Sequence, residues 1–215
     1  MQMNAGLEEK KAQLTHRREE QILAAAKHIF ARNGFRRTKI EQIAEYLSVG
    51  KGTIYRYFKD KKSLFLGVFE HGMTEIRDTM RANIDPVRQP QDKIRTAVRT
   101  FFRIFDNDPE LIEILMQVRS EFKDDYKRIF LNLYSDYIVR IQENLRNGVK
   151  MGIFRELDVE KTAEAYSAMM HGLLQIFYLR QFGPEPDLSV AGRLTDRTEA
   201  VTALLLEGLL KRNSK

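Results

Sequence analysis

Cysteine is absent from the 215 residues. Its absence excludes disulfides, thiolate chemistry and zinc–cysteine centres, and it argues against an extracellular disulfide scaffold. Proline (5) and glycine (12) are scarce, so few residues interrupt helices or shape hairpin turns. No apolar run approaches the ~18 residues of a membrane span; the longest candidate, AVTALLL before Glu207, is far shorter. The opening MQMNAGLEEKKAQLTHRREE lacks the apolar core of a secretion signal. The expectation is a soluble cytoplasmic protein with no membrane partner. Strand signals are also missing, with no sustained alternation and no Asn-Gly or Asp-Gly hairpin between apolar runs. Nor is there an H-E-x-x-H, G-x-S-x-G, P-loop or G-x-G-x-x-G string. His16, His28, His71 and His171 contain no i, i+4 ligand pair. No catalytic residue, metal site or cofactor is expected, and the chain reads as something other than an enzyme.

What is present is charge, unevenly placed. Residues 1–62 hold 14 Lys and Arg against 7 Asp and Glu, and the remainder holds 22 against 23. A basic head on a near-neutral body points to a polyanion partner, double-stranded DNA being the first choice. A merely solubilising basic end is the alternative.

The helical period recurs along the chain, so the fold class is all-α, with nine helices. Residues 1–16 are expected as a flexible arm, 17–62 as a DNA-binding head, and 63–215 as a ligand-binding and dimerisation body. The first helix, 17–32, places Ile22, Ala25, Ala26, Ile29 and Phe30 on one face. Asn33-Gly34 ends it. Thr38 and Glu41 read as a capping box for a short second helix with Ile40, Ile43, Ala44 and Leu47 inward. Ser48-Val49-Gly50 is a turn, and a third helix covers 51–57. Asp60 caps a long fourth helix to about residue 83. Asp108-Pro109 and Asp158 cap later helices, and the helices continue as 91–105, 109–119, 124–150, 158–182 and 195–212, with 183–192 a loop.

Two short helices across a tight turn, braced by a preceding helix, form the geometry that puts the second helix into a major groove. Ile54 and Phe58 face the core with Val49, which leaves Lys51, Gly52, Thr53, Tyr55 and Arg56 outward. Gly52 costs roughly 1 kcal/mol in a helix, a cost that close approach to DNA would explain. Lys51 and Arg56 suit phosphate or guanine acceptors, and Tyr55 and Tyr57 offer hydroxyls. Lys39 adds charge at a helix N-terminus, and Lys59, Lys61 and Lys62 extend the basic edge. An ordinary three-helix subdomain with a lysine-rich loop is the competing reading.

Residues Ile22 to Phe69 resemble the N-terminal domain of TetR-family transcriptional regulators. The resemblance is carried by Ile22, Ala25, Phe30, Asn33-Gly34-Phe35, Thr38, Ile43-Ala44, Val49, the string KGTIYRYF from Lys51 to Phe58, Lys61 and Leu64-Phe65. It implies an all-α homodimer with DNA contacts at Thr38, Lys39, Lys51, Gly52, Thr53, Tyr55, Tyr57 and Lys61. Two positions depart from the family pattern. Ser48 stands where the family usually has Gly, so positive φ is expected there at some cost. Gly50 stands where Ser or Thr usually caps the third helix, which weakens the cap by a few tenths of a kcal/mol and removes a hydroxyl.

The segments AYSAMMHGLLQIFYL (165–179) and AVTALLLEGLL (200–210) are apolar almost all round, so each needs cover on two sides. A second copy is the simplest cover, through Ala168, Gly172, Leu205, Gly208 and Leu209, and a two-fold interface follows. A buried hairpin in a monomer is the alternative. A dimer favours a palindromic operator. The body is rich in aromatic and Met side chains, most of them core. Phe69, Met73, Phe102, Phe105, Met116, Phe130, Tyr134, Tyr137, Met170 and Phe177 are the candidates for an apolar cavity, which the resemblance also implies. A planar, hydrophobic or acyl-chain effector fits such a cavity, and His171 is a candidate for its polar group or for a satisfied core histidine. The function read from sequence is a repressor whose operator grip is released when an effector swings the fourth helix. A ligand-independent architectural DNA binder, or an all-α ligand-binding protein with an incidental basic end, are the other classes.

Overall fold

The computed structural model describes residues 2–182 and 192–210, apart from the side chains of residues 2–7, 9, 133, 181 and 182. The described chain is helical: α1 (Gln2–Arg37), α2 (Ile40–Tyr46), α3 (Lys51–Tyr55), α4 (Lys61–Ile84), α5 (Pro90–Asn107), α6 (Pro109–Glu121), α7 (Lys123–Lys150), α8 (Val159–Phe182) and α9 (Thr198–Leu209), with a 3-10 turn at Leu194–Arg197 before the last. Nine α-helices and no strand are present among the described residues, and one isolated antiparallel bridge joins Phe154 to Leu210. The expected loop at 183–192 and the end of the ninth helix beyond residue 210 lie outside the described residues, save Gly192.

Three helix starts carry the aspartate caps that the sequence foretells. The Asp60 carboxylate accepts the Ser63 N–H at 2.7 Å, and Ser63 Oγ accepts the Asp60 N–H at 3.0 Å. Asp108 accepts the Leu111 N–H and Asp158 the Lys161 N–H. The arm is different. Residues expected to be flexible are helical from Gln2 as part of α1, because Glu, Lys, Ala, Gln and Leu between residues 7 and 14 are strong helix formers and nothing breaks them before Ile22.

The chain divides into two compact units: Met1–Gly72 with Glu113–Tyr126, and Met73–Ile112 with Lys127–Lys215. The expected boundary at residue 62 therefore moves into α4, and the first unit includes a segment that the sequence assigned to the body. Aromatic packing is the reason. Phe35 lies 5.0 Å from Phe65 and 4.8 Å from Phe122, ring centre to ring centre, and Phe30 lies 4.8 Å from Phe65. Ile22, Ala26, Ile43, Ile54 and Leu64 are fully buried around them.

In the second unit, α9 and its 3-10 turn pack on α5. Asp106, buried on α5, accepts N–H bonds from Leu194 (2.8 Å) and Thr195 (2.9 Å) and the Thr195 hydroxyl (2.7 Å). One carboxylate thus satisfies the free donors that open the turn. At the other end of α9, Arg155 donates its N–H to Leu209 O at 2.9 Å and its Nε to Gly208 O at 2.7 Å.

Candidate nucleic-acid interface

The turn between α2 and α3 is built as its sequence requires. Ser48 has φ 55, the only positive φ at a non-glycine among the described residues, and Val49 N–H returns to Ala44 O at 2.9 Å. Gly50 is the extended N-cap of α3, with no side-chain bond. Ile54 and Phe58 turn inward. Lys51, Gly52, Tyr55 and Arg56 are exposed, and Thr53 and Tyr57 are half-buried. The Arg56 guanidinium lies over the Tyr57 ring at 5.5 Å.

Gly52 has no internal reason to be glycine. Its φ is ordinary, and a Cβ built there meets nothing within 4 Å. The helix forgoes stability at this position and gains no packing in return.

Lys51 sits across from Glu41 of α2, Nζ to Oε1 3.3 Å. The Glu41 carboxyl is held below its ordinary pKa by its backbone N–H first and by Lys51 second. Lys39 is exposed as the N-cap of α2.

Thr38 and Lys61 are not part of this exposed group. Thr38 is buried, and its hydroxyl donates to Gly34 O at 2.8 Å. The expected capping box moves one residue along: Lys39 is the cap and the Gln42 side chain accepts its N–H at 2.8 Å. The cause is Gly34, whose left-handed φ of 78 ends the regular part of α1 and turns its carbonyl toward Thr38. Lys61 donates from one ammonium to Phe35 O (2.9 Å), Arg36 O (3.3 Å) and Thr38 O (2.9 Å), and lies 4.5 Å from the Phe35 ring centre. Three donors meet three carbonyls at the end of α1, where the helix dipole also favours a cation. Replacing Lys61 with Met keeps the stem and removes the charge. The expected result is a loss of about 2 kcal/mol, the usual scale for bonds to a charged group, read by urea denaturation.

Sequence reasoning missed Gln117. Its Oε1 accepts the Phe35 N–H and its Nε2 donates to Phe30 O, both at 3.1 Å. Nearby, Arg36 Nε pairs with Glu121 at 3.0 Å and Lys62 with Asp125 at 2.8 Å. No sequence pattern announces a glutamine that reads a helix end more than eighty residues earlier.

The ten cavity candidates do not share one compact unit. Phe69 and Met116 belong to the first, where Phe69 is fully buried and stacks on Tyr126. The other eight belong to the second. Phe102, Phe105, Met170 and Phe177 are buried core, while Met73, Phe130, Tyr134 and Tyr137 are half-buried. Phe130 stacks on Tyr134 at 5.3 Å, and His171 stands between Phe101, Phe130 and Tyr134, its Nδ1 2.8 Å from Ser167 O. Burial raises the Tyr137 phenol well above its ordinary pKa, and Tyr137 shares a hydrogen bond with Tyr166, which burial also raises. Of the five interface candidates, Ala168 and Gly208 are exposed and Gly172 and Leu205 are half-buried. Leu209 is turned inward instead, with its carbonyl tied to Arg155. No helix among the described residues is long and apolar enough to cross a membrane.

Comparison with known proteins agrees with this layout. Residues 22–68 match the family model of bacterial regulatory proteins of the tetR family, and residues 87–177 match a tetracyclin repressor-like C-terminal domain. The fatty acid metabolism regulator protein of Bacillus subtilis (strain 168) is 24% identical over 140 residues, covering 65% of this chain and 72% of that protein. The fatty acid degradation regulator FadR from Bacillus halodurans superposes with a TM-score of 0.75 at 22% identity, over 90% of this chain and 97% of that one. FadR from Bacillus subtilis, solved with stearoyl-CoA, superposes with a TM-score of 0.70 at 22% identity, over 88% and 98%. With an N-terminal helix-turn-helix domain and a C-terminal helical domain each matching their model, the chain belongs to the TetR family of bacterial transcriptional regulators, DNA-binding proteins and not enzymes.

Proposed function

We propose that this chain is a dimeric repressor that seats Lys39, Lys51, Gly52, Thr53, Tyr55, Arg56 and Tyr57 on a palindromic operator and is released by an apolar effector. The observation that carries the DNA part is Gly52, small at an exposed helical position where nothing inside the chain asks for it. Thr38 and Lys61 act from behind, fixing the end of α1 against the start of α2. The test is fluorescence anisotropy with a duplex recovered by selection from a random pool. Binding by the wild type that weakens steeply with salt is expected, and Lys51→Gln is expected to weaken it further. A Lys51→Gln variant with unchanged affinity would remove α3 from the interface.

For the dimer, the support is an apolar face left open on two helices. Ile176, Leu179 and Leu204 are half or more exposed, and Ala168, Gly172 and Gly208 lie on the same helices. Leu204→Glu is expected to give monomers by light scattering and to lower operator affinity at least tenfold, because a palindrome is then read one half-site at a time.

The effector reading rests on the rings of the second unit and on the stearoyl-CoA bound to the Bacillus subtilis FadR. Stearoyl-CoA is the probe, with free coenzyme A as control. Release of bound duplex by the thioester alone is expected. Tight binding without release would defeat the switch, since a ligand shifts only an equilibrium whose states it distinguishes. A chain that binds duplex and ignores every acyl thioester would instead favour the architectural alternative.

A further inference from the structure

The match to the tetR family model starts at Ile22, but α1 starts at Gln2. Five turns of helix precede the matched region, and their charges are unevenly placed. Lys10 and Arg17 are seven residues apart, as are Lys11 and Arg18. Seven residues make nearly two turns at 3.6 per turn, so each pair stacks and the two pairs run side by side. Leu14, 62% exposed, lies between the two rows. Glu8 and Glu19, eleven residues and three turns apart, stack on a different face. Glu20 is taken by His16 at 3.3 Å. None of the four basic residues has a carboxylate four positions away; Glu8 and Glu20 stand three positions from Lys11 and Arg17, yet none of the four cations is ion-paired among the described residues. The arginines at the far end of the same helix differ: Arg36 is held by Glu121 and Arg37 by Asn33 O.

We propose that the Lys10, Lys11, Arg17 and Arg18 rows form a second DNA-contacting surface, lying along phosphates of the duplex that flanks the segment under α3. A solvated helix gains from pairing opposite charges at i, i+3 or i, i+4; this one leaves its four cations unpaired on one side, which suits a surface of uniform negative charge. The rows are continuous with the head, since the next turns of α1 bury Ile22, Ala26 and Phe30 in its core. From Lys10 to Arg18 the helix rises about 12 Å at 1.5 Å per residue, alongside roughly seven duplex charges at one per ~1.7 Å. This inference rests on the reading of α3 as the groove helix.

The test uses the full chain with Lys10, Lys11, Arg17 and Arg18 all changed to Gln, a good helix former, with helicity checked by circular dichroism. Two duplexes are used: the selected core, and the core extended by ten base pairs on each side. Wild type is expected to prefer the extended duplex at least tenfold. The variant is expected to lose that preference, to bind the core as wild type does, and to show a salt slope shallower by up to about 3.6 per head, at ~0.9 per lost contact. An unchanged preference and slope, while Lys51→Gln weakens both duplexes, overturns the flanking surface and leaves the α3 reading standing. A changed oligomeric state with an unchanged slope also overturns it and assigns the rows to a second copy of the chain. Failure of the wild type to bind any duplex in a Lys51-dependent way overturns both readings together.

Discussion

Gly52→Ala is expected to raise the melting temperature and to lower operator affinity at least tenfold. The two effects have separate causes. An exposed helical glycine costs about 1 kcal/mol relative to alanine, and a methyl at this position meets no atom within 4 Å. The isolated protein therefore gains stability, on the order of 2–4 °C for a chain of this size. In a groove the same methyl stands between α3 and the duplex, and the helix must back away from every contact it makes. Calorimetry and anisotropy on one preparation check both halves. A variant that is more stable and binds unchanged would show that α3 does not approach DNA with this face.

The largest loss of stability is expected from Gly148→Ala. Phe154 is buried and its ring lies directly against Gly148, so a Cβ there would be driven into the ring. The connector is fixed by N–H bonds from Ile153 and Phe154 to Gly148 O, both 3.0 Å, and by Gly152 at φ 70. Something must shift, and the buried ring is what stands nearest. Expelling the ring costs about 3 kcal/mol or more, the scale of losing a buried phenylalanine. It also dislodges Arg155 from Leu209 and Gly208, and with it the end of α9. In a Phe154→Ala background the alanine at 148 is expected to cost almost nothing, because the clash is gone. Denaturation midpoints for the four proteins of that cycle decide the matter; additive losses would refute the clash.

Helix content was legible because the helical period recurs along the chain and three starts carry a matching cap: Asp60, Asp108 and Asp158 each accept the N–H three residues on. The exposed face of α3 was legible for the same reason, since Ile54 and Phe58 leave only one side outward. Ser48 was expected at positive φ and is found there. What sequence could not show was competition between partners. Thr38 reads equally well as the cap of the helix after it or of the helix before it, and the Gly34 carbonyl decided for the second. Lys61 reads as a phosphate ligand until three carbonyls appear around it. Gln117 and Phe122 carry no local signal, since their partners lie more than fifty residues away along the chain. The arm is helical from Gln2 because its polar residues are strong helix formers, a propensity that polar composition alone does not display.

The segment Glu113–Tyr126 alters the electrostatics of the head. Counted over residues 1–62, positive charge outnumbers negative two to one; counted over the compact unit, it is 16 Lys and Arg against 12 Asp and Glu. Glu121 and Asp125 neutralise Arg36 and Lys62 before any nucleic acid arrives. Fewer counterions will then be displaced on association than a tally of cationic side chains foretells, and residence on arbitrary genomic sequence will be correspondingly brief.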